Sequence, residues 1–480
     1  MSTTLTPDRA DGRSTAVSPG RRIPAWLAIV AVSLPMFMAT LDNLVMTTAL
    51  PVIRADLGAS VGELSWFVNA YTLSFATFML PAAALGDRIG RRRMMLAGIT
   101  VFTLASIASA LSTTSAALIA ARSIQGLGAA AIMPLSLSLL ASAVPERQRA
   151  AAIGIWGGVS GLGVALGPVV GGAVVDGINW QAIFWINVPV AVIAIPLIWV
   201  AVRESRGVWR RLDALGTVLL GGAVFLGVWG IVHGNDDGWG SASVVVPLVA
   251  AALLLPAYVG HALRRQRGGH DAVLPLRLFS SRGFTVANLI SLLFTIGMFG
   301  TVFLLSQYLQ VVQGYSPLGA GLRTLPWTAA PMVVAPLAGI LAGRVGVRIP
   351  LVVGLAAQTA SLVWFAVLTE TSAGYPAFVP ALLLAGIGMG LTFAPSSTAV
   401  LQGLGEADFA TASSANSTLR EFGTALGVAV LVAVFEAAGG TISPTGYDGA
   451  IGPALLTGAA AVAIATIVAL FAPGRAGSRS

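Results

Sequence analysis

Long apolar runs dominate the chain, and short polar segments separate them at fairly regular intervals. A membrane-spanning helix needs about 20 predominantly apolar residues. With that window the pattern predicts about fourteen transmembrane helices, near 26–48, 63–84, 94–112, 116–140, 150–174, 182–202, 212–233, 242–262, 283–311, 319–342, 349–369, 375–400, 417–438 and 450–471. An even number of crossings places both termini on one side of the membrane.

Arginines occupy alternate segments between these predicted helices. Apart from Arg54, Arg122, Arg323 and Arg420, every arginine lies in a terminal tail or in a segment that follows an even-numbered helix. Basic residues in short loops favour the cytoplasmic side of a membrane. The pattern therefore predicts that these segments and both termini are cytoplasmic.

The composition agrees with a membrane protein and excludes several kinds of site. Hydrophobic residues make up 56% of the chain and charged residues 10%, whereas soluble domains carry roughly 25% charged residues. Without cysteine there is neither a disulfide nor a thiolate metal site, and the three histidines lack metal-ligand spacing. The net charge of +8 is explained by topology, so we predict no nucleic-acid partner.

Two pairs of segments indicate an internal repeat. "AALGDRIGRR" at 83–92 resembles "GILAGRVGVR" at 339–348, and "GVALG" at 163–167 resembles "GTALG" at 423–427. Parallel repeats of this kind are typical of two-bundle secondary transporters. We predict an all-α polytopic membrane protein with a polar, disordered cytoplasmic tail, an N-terminal six-helix bundle, two inserted helices, a C-terminal six-helix bundle and a cytoplasmic tail, at 1–24, 25–205, 206–270, 271–472 and 473–480. The first tail lacks the apolar core and cleavage site of a signal peptide.

Four motifs follow one another along the chain: "LDNLVMTTALPVI", "LGDRIGRRRMML", "RSIQGLGAAAIMP" and "GLGVALGPVVGG". Together they resemble the major facilitator superfamily, and in particular its fourteen-span drug:proton antiporters, over residues 25–472. The resemblance implies two bundles that rock about a central cavity in the bacterial inner membrane. It implies export of hydrophobic or amphipathic drugs or metabolites in exchange for protons. The partners are then the substrate, protons and the bilayer, and the protein is a monomer driven by the proton gradient without a cofactor.

The last of these motifs resembles the family's antiporter motif, which we assign to Gly163, Gly167, Pro168, Gly171 and Gly172. Glycines four residues apart share one face of a helix and let two backbones approach closely in lipid. Proline removes a backbone hydrogen bond and can bend the helix. We therefore predict a helix that is smooth on one side and bendable at Pro168, with generic tight packing as the alternative.

Asp42 and Arg122 are the charged residues set well inside the first half. Each lies roughly 10–13 Å from the arginine-poor end of its predicted helix, at 1.5 Å per residue, so the two can meet. A charge inside a span is costly and is a functional candidate by default. A neighbouring arginine favours the carboxylate, whereas burial favours the neutral acid. We predict that this pair couples transport to protons, with Gln125 positioning Arg122; a static ion pair is the alternative.

The segment "GDRIGRRR" indicates a gate at the cytoplasmic face, formed by Asp87, Arg88, Gly90, Arg92 and Arg420. An acid is favoured near the start of a helix, where the dipole is positive. The resemblance implies that Asp87 meets the start of the thirteenth helix, which carries Arg420. A simple topology anchor is the alternative for the arginines.

Apolar and aromatic side chains are the main candidates for contacts with a substrate. We assign the cavity to Phe37, Met38, Trp66, Tyr71, Gln125 and Phe299, because aromatic and methionine surfaces adapt to varied apolar ligands. Asp42 is the one deeply placed acid in this interpretation, which favours lipophilic or monocationic substrates. No polar cluster predicts an enzyme. The alternative is a major facilitator importer or exporter of one specific small metabolite.

Overall fold

The computed structural model describes residues 24–206, 213–270, 272–371, 373–404 and 409–473. Within these ranges the chain is helical and contains no strand. The helices are α1 (Ala25–Leu57), α2 (Val61–Ile89), α3 (Arg91–Ala110), α4 (Ser115–Ala143), α5 (Glu146–Gly177), α6 (Ala182–Trp185), α7 (Asn187–Ala201), α8 (Ala214–Asp237), α9 (Ala242–Arg267), α10 (Arg282–Val311), α11 (Pro317–Val345), α12 (Arg348–Glu370), α13 (Tyr375–Leu401), α14 (Phe409–Ala437) and α15 (Ile451–Ala469). The two predicted tails, except Pro24 and Pro473, lie outside the described residues.

Thirteen stretches of the described residues are long and apolar enough to cross a membrane, with α6 and α7 together forming one of them. The remaining long helix, α5, has 32 residues, and its described apolar part, Gly161–Gly177, is shorter than a full span. The all-α, multi-pass architecture is therefore confirmed, and the expected count of fourteen spans is confirmed in part.

Helix boundaries differ most from the sequence prediction at α14. This helix begins at Phe409, eight residues before the predicted span. The predicted span starts too late because the polar segment "ATASSANST" is typical of a loop. In the structure Asn416 and Thr418 of this segment are buried, and Asn416 Nδ2 donates to Asn288 Oδ1 at 3.1 Å and to Ser291 Oγ at 2.9 Å on α10. Polar residues that satisfy one another inside the protein do not have to end a helix.

Contacts between connecting segments define two faces of the molecule. At one face Arg91 N donates to Ser205 O, and Arg348 Nε donates to Ala472 O. We call this the arginine-rich face, because the described arginine-bearing connections meet there. At the opposite, arginine-poor face, Trp180 Nε1 donates to Asp56 Oδ2 at 2.7 Å.

Each half packs its first helix against its fifth. In the first half α1 contacts α5, and in the second half α10 contacts α14 in the same way. The repeated glycines lie in these contacts, since Gly167 faces Leu44 of α1 and Gly427 faces Ile296 of α10. The inserted helices α8 and α9 pack on each other, and α8 touches α2 and α14. The internal similarity of the sequence thus corresponds to equivalent helix pairs.

Candidate functional site

A buried ion pair lies inside the first half. Arg122 on α4 donates from Nη1 to Asp42 Oδ2 on α1 at 2.5 Å, and the two side chains are 0% and 2% exposed. The contact between Asp42 and Arg122 therefore agrees with the similar depths that were estimated for the two residues from the sequence. Arg122 Nε also donates to Phe67 O at 3.1 Å, which fixes the guanidinium against α2.

Two amide side chains complete the surroundings of Asp42. Gln125 Nε2 donates to Asp42 Oδ1 at 2.9 Å, while its Oε1 accepts from Arg122 Nη1 at 2.8 Å. Asn187, the first residue of α7, donates from Nδ2 to Asp42 Oδ1 at 2.7 Å and to Ser106 Oγ at 2.8 Å. The carboxylate thus accepts hydrogen bonds from one guanidinium and two amides. Charge-assisted bonds of this kind are about twice as strong as neutral ones.

Aromatic rings cover the arginine. Its Cζ lies 4.3 Å from the ring centroid of Tyr71 and 5.9 Å from that of Phe184, distances at which a cation is attracted to the ring face. Arg122 Nη2 is buried and has no hydrogen-bond partner among the described residues. The cluster is therefore enclosed by protein, and its charge balance depends on Asp42.

A cavity of about 570 Å³ lies between the two halves. Its wall combines hydroxyl-bearing residues with a larger apolar and aromatic surface, contributed by α1, α5, α10, α11, α13 and α14. Phe299, Trp327 and Phe393 supply the aromatic part. A mostly apolar cavity with a few polar groups is typical of a small-molecule site.

Of the residues assigned to the cavity from the sequence, Phe299 is the one that lines it. Met38, Tyr71 and Gln125 are buried, and both Tyr71 and Gln125 belong to the surroundings of the ion pair. Trp66 packs on Phe225 and Trp229 of α8 at 5.7 and 5.6 Å, and Phe37 packs against the apolar core. Hydrophobicity alone could not distinguish a cavity wall from these packing sites.

Hydrogen bonds join the two halves near the arginine-poor face. Ser306 Oγ donates to Thr47 O at 3.2 Å, and Gln310 Nε2 donates to Thr48 O at 2.9 Å. Nearer the end of α1, Arg54 Nη1 donates to Ile442 O at 2.6 Å. These contacts seal the cavity on this side.

Helix α5 separates from α11 toward the other face. At the arginine-poor end Gly172 packs on the backbone of Pro317, whereas no atom of the described residues lies within 4 Å of a methyl group built at Gly161, Gly339 or Gly343. Along these two helices the halves therefore touch at the arginine-poor end and diverge toward the arginine-rich end.

The antiporter-motif glycines face two partners. Methyl groups at Gly163, Gly167 and Gly171 would lie 3.2, 2.6 and 3.0 Å from Thr40, Leu44 and Val45 of α1, so these glycines form the smooth face that their spacing predicts. Pro168 and Gly172 instead meet α11, where the backbone of Pro168 contacts Gly321. Pro168 lies inside α5 without ending it. The motif thus forms the contact between α1, α5 and the second half.

The predicted gate has a different arrangement from the expected one. Asp87 pairs with Arg91, one turn later, at 2.6 Å. Arg92 donates from Nη1 to Val202 O at 3.1 Å and lies over the ring of Trp199 at 4.7 Å. Gly90 has a positive φ of 122°, a conformation that favours glycine. Arg88 and Asp87 precede this turn at the end of α2.

Glu204, which was not among the residues predicted from the sequence, holds the turn after α2. Its carboxylate accepts hydrogen bonds from Arg92 N at 2.9 Å and Arg93 N at 3.2 Å. These are free N–H groups of the first turn of α3, which an acid satisfies well. The sequence gives little indication of this contact. The backbone donors follow the turn at Gly90, but their acceptor, Glu204, lies more than a hundred residues further along the chain.

Arg420 lies far from this turn and lines the central cavity. It is eleven residues from the start of α14, which is about 16 Å at 1.5 Å per residue. Its Cζ lies 4.3 Å from the ring centroid of Phe393. Arg420 would lie at the gate if this helix began later in the sequence, close to Arg420. Because the helix begins at Phe409, Arg420 lies in the interior instead.

Comparison with known proteins agrees with this architecture. The family model of the Major Facilitator Superfamily matches residues 32–428. The chain belongs to the major facilitator superfamily. It is 33% identical over 443 residues to the tetracenomycin C resistance and export protein of Streptomyces glaucescens, covering 92% of this chain and 81% of that protein.

Two further matches support membership of this superfamily. The chain is 35% identical over 415 residues to the multidrug resistance protein Stp of Mycobacterium tuberculosis, covering 86% of this chain and 76% of that one. The crystal structure of a bacterial homologue of the human lysosomal transporter Spinster, 16% identical, superposes with a TM-score of 0.64 over 93% of this chain and 96% of that chain. This major facilitator chain is a transporter of small molecules, not an enzyme.

Proposed function

We propose that this transporter exports hydrophobic or amphipathic small molecules in exchange for protons by alternating access. The names of two relatives, a resistance and export protein and a multidrug resistance protein, support export. The arginine-rich face is then cytoplasmic, and the structure corresponds to a state closed toward the outside. The buried Asp42–Arg122 pair carries the proton part of the proposal.

Protonation of Asp42 upsets the cluster electrostatically. A neutral Asp42 leaves Arg122 buried at 0% exposure without its counter-charge, and a buried charge that loses its partner is strongly unfavourable. Either water must reach Arg122 or α1 must move relative to α4. In the proposed mechanism it is α1 that moves, so proton binding is tied to a rearrangement of this helix.

The same helix closes the cavity. Leu44, two residues after Asp42, lines the cavity and packs on Gly167 of α5. The carbonyl groups of Thr47 and Thr48 bind α10 across the interface. A shift of α1 that follows protonation therefore acts directly on contacts between the two halves, which is what coupling requires.

The test uses purified protein in liposomes with an imposed proton gradient and three probes, 1-pyrenebutyrate, 1-pyrenebutanol and 1-pyrenebutylamine, called the pyrene series below. We expect gradient-driven movement of at least one probe by the wild type and its loss in Asp42→Asn. Asp448→Asn, which changes an exposed acid, is the matched control and should behave as the wild type. Exchange of probe without a gradient should survive in Asp42→Asn.

A purely static ion pair gives a different result. In that case Asp42→Asn lowers exchange and gradient-driven movement together, and the double variant Asp42→Asn/Arg122→Gln restores both by removing the unpaired charge. Full gradient-driven movement in Asp42→Asn contradicts the role of Asp42 as proton carrier. Failure of the wild type to move any of the pyrene series contradicts broad export.

A further inference from the structure

The described wall of the central cavity carries one positive charge. Among the lining residues that the structure describes, Arg420 is the one charged side chain, and none is acidic. The other polar side chains in the described wall are hydroxyl-bearing residues, including Thr324 and Thr328 of α11, and the indole of Trp327. Asp42 and Arg122 do not line the cavity, so their charges balance each other elsewhere. A molecule in this cavity meets one guanidinium in apolar surroundings.

The Nε of the Arg420 guanidinium is buried and has no hydrogen-bond partner among the described residues. The ring of Phe393, itself part of the cavity wall, lies 4.3 Å from its Cζ and holds the side chain in place. A buried donor without an acceptor is costly unless a ligand or water supplies one.

The neighbouring acid points toward a different helix. Glu421 follows Arg420 on α14, where successive side chains are about 100° apart. It is absent from the described cavity wall, and its carboxylate lies close enough to act electrostatically on Tyr71 of α2 as well as on Arg420 itself. The cavity therefore presents the cation of this pair, while the acid faces the first half.

We infer that the cavity binds amphipathic organic acids, whose carboxylate or other anionic group pairs with Arg420 while the apolar body lies against Phe299, Trp327 and Phe393. This substrate class rests on the proposed export function and narrows it. Arginine binds a carboxylate through two parallel hydrogen bonds. A cationic molecule would instead meet Arg420 without an acidic residue in the wall, which disfavours the monocationic substrates expected from the sequence.

Binding of the pyrene series tests the inference without any proton gradient. The three probes share one aromatic body and one chain length and differ in a head group that is anionic, neutral or cationic near neutral pH. Energy transfer from tryptophan to pyrene reports binding to the detergent-purified full chain. We expect pyrenebutyrate to bind about tenfold more tightly than pyrenebutanol, as for a hydrogen bond to a charged group, and pyrenebutylamine to bind most weakly.

Variants then locate the preference. Arg420→Gln should weaken pyrenebutyrate about tenfold and leave pyrenebutanol unchanged, Arg420→Lys should retain part of the preference, and Arg420→Glu should reverse it toward pyrenebutylamine. Arg323→Gln is the matched control, because Arg323 also stacks on an aromatic ring, that of Tyr315 at 3.5 Å, but lies outside the cavity wall. It should leave all three affinities unchanged.

Equal binding of the three probes to the wild type, tighter binding of the amine, or an unchanged acid preference in Arg420→Gln would each overturn the inference. The comparison on the unmodified protein needs no variant, so a folding defect in Arg420→Gln does not remove the test. An acid preference that depends on Arg420 without gradient-driven movement supports the inference and contradicts proton-coupled export. Gradient-driven movement without that preference supports proton-coupled export and contradicts the inference.

Discussion

Buried polar side chains of the first half fall into two kinds. The carboxylate oxygens of Asp42 accept hydrogen bonds from Arg122, Gln125 and Asn187, and Asn187 donates a second bond to Ser106. Asn69 on α2 is equally buried, but neither its Nδ2 nor its Oδ1 has a partner among the described residues. A satisfied group stabilises the fold modestly, whereas an unsatisfied one costs its full desolvation. The two asparagines are therefore expected to respond oppositely to the same substitution.

Asn187→Leu should destabilise the protein by about 1–3 kcal/mol, because Asp42 loses a donor in a dry site. Asn69→Leu should be neutral or stabilising, because leucine has a similar volume and removes an unpaired amide. Chemical unfolding of both variants in the same detergent measures the difference in the free energy of unfolding. Equal losses in the two variants would show that burial, not hydrogen bonding, sets the contribution of Asn187.

Charge made part of the site predictable from sequence. Asp42 and Arg122 stand out because ionised side chains are rare inside spans, and equal depth implies contact. Asn187 is neutral and lies at a helix start created by the break between α6 and α7, so nothing local distinguishes it. The sequence made Arg420 a candidate residue, but its place in the cavity wall was not predictable, since its depth depends on where α14 begins.

At the level of elements, α5 joins the two halves through two distinct faces. Gly167 and Gly171 rest on α1, which belongs to the same half, while Gly172 rests on α11 of the other half. The first face is a packing contact within one half. The second exists where the halves touch at the arginine-poor end, so it must open if the cavity is to open there. A methyl group added to the first face therefore disturbs packing within one half, whereas one added to the second face disturbs the contact between the halves.

Gly172→Ala should weaken closure of the arginine-poor face. The new Cβ would collide with the carbonyl group of Pro317 and lie 2.5 Å from Leu318 Cα, and backbone cannot move aside as a side chain can. Overpacking of this kind costs about 1–3 kcal/mol. The equilibrium between the closed and open states of the arginine-poor face shifts roughly tenfold for each 1.4 kcal/mol. Gly161→Ala is the matched control on the same helix, since no atom in the part of the chain that the structure describes lies within 4 Å of its Cβ.

The absence of cysteine from the chain provides the measurement. A reporter, Ser306→Cys, lies at the contact with Thr47 and also lines the cavity. A membrane-impermeant thiol reagent added to intact cells therefore reaches it only when the arginine-poor face opens, so the rate of reaction reports opening. The rate should rise in Gly172→Ala and stay unchanged in Gly161→Ala. A similar rise in both variants would mean that alanine disturbs α5 itself and not the interface.

The helical pattern was easier to predict than the ends of helices. Apolar period and length identify the spans, since only a helix of that length satisfies its backbone across a membrane. The start of α14 could not be predicted in this way, because Asn416 is satisfied by Asn288 and Ser291 from α10. That pairing depends on tertiary structure, and no local window of sequence contains it.

For the molecule as a whole, the cavity must be reachable from one side at a time. The hydrogen bonds of Ser306, Gln310 and Arg54 close the arginine-poor side, while α5 and α11 diverge toward the other face. Met332 on α11 lines the cavity and is 41% exposed. Water and reagents should therefore reach Met332 from the arginine-rich face.

Single cysteines test both this access and the orientation of the molecule. Gly268→Cys and Ser243→Cys mark exposed positions at the arginine-rich and arginine-poor faces respectively. In intact cells only Ser243→Cys should react with an impermeant reagent, because arginine-rich loops remain in the cytoplasm. In inside-out vesicles Gly268→Cys and Met332→Cys should both react. The opposite result is that Met332→Cys is protected in those vesicles and labelled in intact cells. It would mean that the resting protein opens outward and that the contact of Ser306 with Thr47 does not keep the arginine-poor face closed.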